Sequence, residues 1–304
     1  MSTDRIQHIL VPTDLSDFSK AAAAWAAIFH RRLGSRITLL YANQPYVPVD
    51  FLEGPAAYLL QAQPEFRQRL AEELSGFATE CFPDFGSSVD TLVVDAAPAQ
   101  AIVDTANKID ADVIIMGTHG RRGWRRAILG SVTENVVRAT DRPLMSVPAS
   151  LATPGGPKIA TILCPVNFTE IGRQALEEAV TLAAAFDADL LVVYVADLAG
   201  QSLLTHLEHD FAAWVESTVR QRCRYSQFVA RGDAAEQVLK IAEQTGTDLI
   251  VIGAQHQLFS DTTVIGTTTE RVVRFAKQPV WTVVWRAEAV SHDVQRRATA
   301  GTAG

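Results

Sequence analysis

The sequence predicts an α/β fold built twice, and three observations carry that expectation. Short, fully apolar runs alternate with longer helix-like stretches, the pattern of βαβ units around a mostly parallel sheet. A block reading His8-Ile9-Leu10-Val11-Pro12-Thr13-Asp14 recurs 153 residues later as Thr161-Ile162-Leu163-Cys164-Pro165-Val166-Asn167. Two further blocks recur with an offset of 136: Asp112-Val113-Ile114-Ile115-Met116-Gly117 as Asp248-Leu249-Ile250-Val251-Ile252-Gly253, and Thr133-Glu134-Asn135-Val136-Val137-Arg138 as Thr269-Glu270-Arg271-Val272-Val273-Arg274. The offsets differ by 17 residues, which puts a loop insertion in the first copy around residues 44–63, where Pro45, Pro48, Pro55 and Pro64 gather. Length agrees, since 304 residues are twice a domain of about 150.

In the first copy, strands are expected over residues 6–11, 36–42, 88–94, 113–117 and 144–147, with helices between them. Most are near-continuous apolar runs, because a sheet covered on both faces leaves neither side to water. Residues 20–33 read as a helix whose last turn carries His30, Arg31 and Arg32, with Gly34 just beyond. Those cations meet the negative end of the helix dipole, and glycine accepts the left-handed cap. Residues 150–158 include Pro154-Gly155-Gly156-Pro157 and cannot continue a helix or strand. The expected organisation is therefore a first domain over 1–149, a linker over 150–157, a second domain over 158–286 and a polar, fraying tail over 287–304. Each domain ends in an apolar strand, 144–147 in one and Val280-Trp281-Thr282-Val283-Val284-Trp285 in the other. Exposed edges of this kind invite pairing, so the two strands are expected to conceal each other across a pseudo-twofold axis. A further homodimer through the Pro-rich insertion stays open.

Composition narrows the function. The net charge of −7 is spread evenly, with 14 basic and 17 acidic side chains before residue 151 and 13 and 17 after it. Neither half has the basic excess of a general nucleic-acid binder, so any anion must be gripped locally. Cys81, Cys164 and Cys223 are odd in number and lack CxxC spacing, which suggests neither a disulfide framework nor zinc, and fits a reducing, cytoplasmic setting. Asp4, Arg5, His8 and Asp14 interrupt the N-terminal region, and no segment approaches the roughly 18 apolar residues of a membrane span.

One loop has the makings of an anion site. Gly117-Thr118-His119-Gly120 ends an apolar strand, and nine residues later Gly130-Ser131 opens a helix pattern. Glycine lets the main chain approach a ligand, and the N–H groups of a helix start present partial positive charge to phosphate. Ser131 either bonds a phosphate oxygen or caps the helix, with Glu134 completing a Ser-x-x-Glu box. Arg121, Arg122, Arg125 and Arg126 put four positive charges into six residues of an acidic protein, and an arginine fork suits phosphate oxygens. His119 either orients phosphate or faces water, and Trp124 is expected to pack the loop onto the protein.

The spacing G-x2-G-x9-G-[ST] after an apolar strand, the Pro12-Thr13-Asp14 block and the two-copy layout together resemble the universal stress protein family. The resemblance covers residues 4–148 and 158–285. It implies two tandem open sheets of five parallel strands with helices on both faces, an adenine-nucleotide alpha-hydrolase-like, Rossmann-like fold paired about a pseudo-twofold. It also implies ATP, ADP or AMP at the strand ends, with magnesium able to accompany the triphosphate, and a regulatory role under stress. By matching position, Pro12, Thr13, Asp14 and Ala42, with Met116 and Gly117, border the base and ribose. His119, Gly120, Arg121, Arg122, Gly130, Ser131, Val132 and Thr133 follow the phosphates. Charge agrees, since the Asp14 carboxylate accepts ribose or adenine hydrogen bonds but repels phosphate. The alternative for Asp14 is a cap on the following helix, a task Ser16 can also perform.

The second copy departs from the pattern. Asn167 replaces Asp14, His256 stands where the first copy has Gly120, and residues 257–265 hold no arginine, although Gly266-Thr267 remains. The expected nucleotide site is therefore the first domain's, and the second is a degenerate partner. His206, His209 and His256 make no metal-ligand spacing. Three functions are consistent with these residues: a regulatory binder of adenine nucleotide that signals to an unidentified protein, a slow ATPase or adenylate-using enzyme, or a nucleotide-independent scaffold or chaperone. The enzyme lacks a Walker GxxxxGK[ST] loop, a Gly-x-Ser-x-Gly elbow and an oriented nucleophile. Binding without efficient turnover is the reading these absences favour.

Overall fold

The computed structural model describes residues 6–44, 64–118, 129–148, 156–196, 204–254, 256–259 and 262–284. Its first half runs β1 (His8–Thr13), α1 (Asp17–Leu33), β2 (Arg36–Asn43), α2 (Pro64–Cys81), β3 (Val89–Asp95), α3 (Pro98–Lys108), β4 (Val113–Gly117), α4 (Ser131–Ala139) and β5 (Leu144–Val147). The second half repeats the plan as β6 (Thr161–Val166), α5 (Glu170–Phe186), β7 (Asp189–Ala196), α6 (Leu204–Val219), β8 (Tyr225–Arg231), α7 (Ala234–Gln244) and β9 (Leu249–Ala254). It then adds a hairpin, β10 (His256–Phe259) and β11 (Thr262–Ile265), before α8 (Thr267–Phe275) and β12 (Val280–Val284).

Several boundaries differ from expectation by one to three residues, with β1 at His8–Thr13, β2 at Arg36–Asn43 and β3 at Val89–Asp95. The first strand runs on to Thr13 and α1 begins at Asp17, because Ser16 takes the extended N-cap conformation. Pro64 opens α2 instead of belonging to the insertion, since a residue without an N–H is tolerated in a first helical turn. At the other end of α1, Gly34 has φ 73° and its amide donates to the His30 carbonyl at 2.8 Å, as the basic last turn foretold. Residues 45–63, 149–155 and 285–304, which hold most of the insertion, most of the linker and the tail, lie outside the described residues.

The sheet order is β3-β2-β1-β4-β5-β12-β9-β6-β7-β8. Neighbouring strands are parallel within each half, and the halves join where β5 and β12 pair antiparallel, with Met145 opposite Trp281 and Leu144 opposite Thr282. The two five-stranded sheets thus form one ten-stranded sheet. Helices cover both faces. On one face a single apolar cluster runs through both halves, from Val11, Trp25 and Phe29 to Leu176, Phe211 and Trp281. Phe29 stacks on Trp281 with ring centroids 5.7 Å apart and meets Phe186 edge-on at 5.0 Å. On the other face each half keeps its own cluster, α3 and α4 over the first and α7 and α8 over the second.

The repeat extends to hydrogen bonds. One oxygen of Asp112 accepts the amides of Gln7 and His8 at 2.7 and 2.9 Å, and Asp248 does the same for Ala160 and Thr161 at 2.8 and 3.0 Å. Each carboxylate anchors the start of its half's first strand to the residue before its fourth. The seam strand itself carries a fault: the fully buried Thr282 hydroxyl has no hydrogen-bond partner among the described residues. Asp112→Ala is expected to lower urea stability by about 1–2 kcal/mol, because two amides lose a charged acceptor. Thr282→Val is expected to raise it by about 1 kcal/mol, since the β-branched shape is kept and an unsatisfied hydroxyl is removed.

Candidate functional site

In the first half the chain leaves β1 toward β2 on one side, and β4 toward β5 on the other. The crevice at the carboxyl ends of β1 and β4 is therefore a topological switch point, where open α/β sheets take ligands. After β1 the main chain turns sharply. The Thr13 hydroxyl accepts the Leu15 amide at 2.9 Å, Asp14 accepts the Ser16 amide at 3.1 Å and the Ser16 hydroxyl at 2.5 Å, and Leu15 sits at φ 61°. Side chains bonding an amide two residues on are how Thr and Asp hold a turn. Asp14 therefore shapes the approach to α1, while the N-cap residue of that helix is Ser16. Thr13 is buried and also bonds the Ser19 hydroxyl at 2.8 Å. Pro12 is buried in β1, and Ala42, half-buried, follows the Tyr41 that pairs with Thr13. Met116 is buried in the cluster under α3 and α4, so its side chain belongs to the core.

The loop after β4 has a closed neck. Thr118 donates its amide to the Val147 carbonyl at 2.9 Å, and Gly130 donates to the Thr118 carbonyl at 2.8 Å. The Thr133 hydroxyl reaches back to the Gly117 carbonyl at 2.8 Å. These bonds bring Gly117, Gly130, Ser131 and Thr133 together at the end of β4, with partly buried Val132 between them. The Ser-x-x-Glu cap is not formed. Gly130 occupies the N-cap position, Ser131 is already helical, and the Glu134 carboxylate pairs with Arg138 at 2.8 Å. Gly130, the N-cap residue, has no side chain with which to cap α4, and the amides of a helix's first turn have no partner within the helix. They carry the positive end of its dipole. His119, Gly120, Arg121 and Arg122, with Trp124, Arg125 and Arg126, lie outside the described residues.

The second half repeats the frame and changes the lining. Thr269 donates to the Gly253 carbonyl at 2.8 Å, and Gly266 caps α8 with φ −56° and ψ 139°, close to the −60° and 138° of Gly130. Both glycines hold a conformation that any residue adopts. A cavity of about 520 Å³ opens here, bordered by Val166, Asn167, Tyr194, Gly253, Gly266 and Thr267. Two of its glycines, Gly253 and Gly266, have opposite reasons to be small. A Cβ at Gly253 would lie 2.8 Å from Ile171 Cγ1 and 3.0 Å from the Ile171 carbonyl, whereas one at Gly266 would meet nothing within 4 Å among the described residues. Gly253 is required by the packing of α5 on the strand end; Gly266 only keeps the cavity wall bare.

The bond between Asn167 and Thr169 matches that between Asp14 and Ser16 in the first half, whereas the side-chain caps of α5 and α7 and the ion pair to α8 are particular to this half. Asn167 accepts the Thr169 hydroxyl at 2.5 Å, and that hydroxyl in turn caps α5 by accepting the Gly172 amide at 3.2 Å. Asp233 caps α7 and pairs with Arg271 of α8 at 2.7 Å, and the guanidinium holds its carboxyl below the ordinary range. The first half has Ala97 and Asn135 at the matching places. β10 and β11 pair antiparallel, His256 opposite Ile265, an element that sequence reasoning missed. Its signal was present: Ser260-Asp261 separates two short runs, the second rich in β-branched residues. Among the described residues no group of His, Cys, Asp and Glu is arranged to hold a metal, and no helix is long and apolar enough to cross a membrane. Gly253→Ala is expected to lower thermal stability by about 1–3 kcal/mol through overpacking. Gly266→Ala should leave it unchanged or raise it by about 0.5 kcal/mol, a contrast that differential scanning calorimetry resolves.

Comparison with known proteins follows the same duplication. The Universal stress protein family profile matches residues 5–148 and again 158–284. A universal stress protein of Methanocaldococcus jannaschii is 31% identical over 143 residues, covering 46% of this chain and 81% of the relative. One from Mycobacterium tuberculosis H37Rv is 23% identical over 298 residues, covering 92% of this chain and 98% of its own. Among solved structures, a universal stress protein from Archaeoglobus fulgidus superposes with a TM-score of 0.66 at 17% identity, covering 93% of this chain and 98% of that one. A putative universal stress protein from Pseudomonas aeruginosa gives 0.64 at 18% identity, covering 92% and 94%. At such identities the structural likeness carries the fold, and the family rests on the sequence matches. Those two matches, one on each half of the ten-stranded sheet, show that the chain belongs to the universal stress protein family.

Proposed function

We propose that the chain is a regulatory binder of an adenine nucleotide, ATP or its AMP and ADP relatives, held by the first domain. One observation carries the reading: the closed neck between Thr118 and Gly130 sets the start of α4, whose N-cap residue is a glycine, at the end of β4. Helix starts of this kind favour phosphate through main-chain N–H groups and the dipole. In this reading Gly130, Ser131 and Thr133 border the phosphates, joined by Gly120 and by Arg121 or Arg122 from the loop. Pro12, Asp14, Ala42 and Gly117 border the ribose and base, where a carboxylate repels no phosphate. The equivalent second-half wall supports the fit, since Gly266 is small without any conformational or packing need. Magnesium enters only as the companion ion of a triphosphate. Free Cys81, Cys164 and Cys223 suit the reducing cytoplasm in which such nucleotides abound.

The second domain, with His256 in place of Gly120 and no arginine over residues 257–265, serves in this reading as the structural partner. Calorimetric titration tests the assignment. The native chain is expected to bind one ATP, and Gly120→His, which copies the second domain, should weaken it by about tenfold or more, or about 1.4 kcal/mol. Equal affinity of the two proteins would exclude the loop as the phosphate site. Incubation with fresh ATP should yield less than one equivalent of ADP or AMP per chain over hours, and multiple turnovers would favour the enzyme reading.

A further inference from the structure

We infer that the phosphate turn of the first domain is positioned by the second domain, through Leu129. The inference deepens the proposed nucleotide site and rests on it for its ligand. Leu129 immediately precedes Gly130 and is 5% exposed. It does not join its own half's cluster of Leu10, Leu40, Ile114, Val136 and Val137 on this face. It is buried instead in the other half's cluster, with Leu163, Val238, Ile250, Val272, Val273 and Val280. Among the described residues, Leu129 alone crosses between these clusters. The seam makes the crossing short, because antiparallel pairing sets Val280, at the start of β12, opposite Ser146 of β5. The exchange is reciprocal: β11, which precedes Gly266 as Leu129 precedes Gly130, lies against α4 of the first half.

Physical consequences follow for the neck. One side is pinned within the first domain, where Thr118 bonds Val147 and accepts the Gly130 amide. The other side arrives from Leu129, whose side chain is buried in the second domain's cluster with Val272 and Val273 of α8 and Val280 of β12. The direction of the first α4 amides is therefore set jointly by both halves. Phosphate contacts depend on that direction, whereas the base and ribose end, built from β1 and the Thr13-Asp14 turn, does not.

The full-length chain and its Leu129→Ala, Leu129→Met and Val273→Ala variants test this. Hydrogen exchange of the segment 129–134, read without nucleotide, is expected to quicken in Leu129→Ala and in Val273→Ala, although Val273 belongs to the other domain, and to stay near native in Leu129→Met. ATP affinity should fall about tenfold in Leu129→Ala and less in Val273→Ala, with adenosine affinity unchanged and Leu129→Met near native. Urea midpoints identify any variant that has lost its fold, and Leu129→Met keeps the comparison available. Unaltered exchange at 129–134 in Val273→Ala, or equal losses of ATP and adenosine in Leu129→Ala, would overturn the inference. A native chain that binds no ATP defeats the nucleotide reading, while the exchange result still decides whether the second domain positions the turn.

Discussion

A parallel sheet ends in a strand with unpaired N–H and C=O groups, and in both halves of this chain that strand is short, apolar and buried. The antiparallel pairing of β5 with β12 satisfies those edges against each other and places Trp281 under both halves at once. Phe29 of α1 stacks on it and in turn meets Phe186 of α5 edge-on. The Arg32 side chain donates to the Ala185 carbonyl at 2.6 Å across the same boundary. One whole face of the molecule is consequently a single hydrophobic layer, and neither half owns a complete core there. The seam holds despite the unsatisfied Thr282 hydroxyl, a penalty that the surrounding burial outweighs.

The halves have diverged around a common frame. The aspartate anchors, the threonine that reaches back to the fourth strand and the extended glycine before the last helix are all kept twice. What differs stands at the strand ends. Thr13, Asp14 and Ser19 form a polar turn in one half, where the other has Val166, Asn167 and Gly172. The second half adds an ion pair between α7 and α8 and folds its loop into a hairpin. Conserving the frame while changing the lining separates what folding needs from what a ligand would need, and Gly253 shows that even a glycine of the motif can belong to the former.

Much of the fold was legible because strands covered on both faces must be apolar throughout, and because the repeat made each half check the other. The edge strands announced their pairing through continuous apolar residues. Boundaries were less legible: Thr13 follows a proline and precedes a polar stretch, yet it ends β1 while its hydroxyl holds the turn that follows. Pro64 looked like loop punctuation, although a helix start accepts it. The Ser131-Glu134 box failed because Gly130 already holds the N-cap position and Arg138, one turn on, attracts the carboxylate. Leu129 could not be placed from sequence at all. An apolar residue before a glycine turn says that it is buried, not which side of a seam buries it.

Joining both copies in one polypeptide has an evolutionary consequence. In an assembly of identical subunits every substitution is written twice, so a change that spoils one loop spoils both. Here the strand that shields the seam and the loop that follows the fourth strand are encoded separately in each half. Selection can then relax one loop and keep its scaffold, so specialised offspring of a symmetrical ancestor need no second gene.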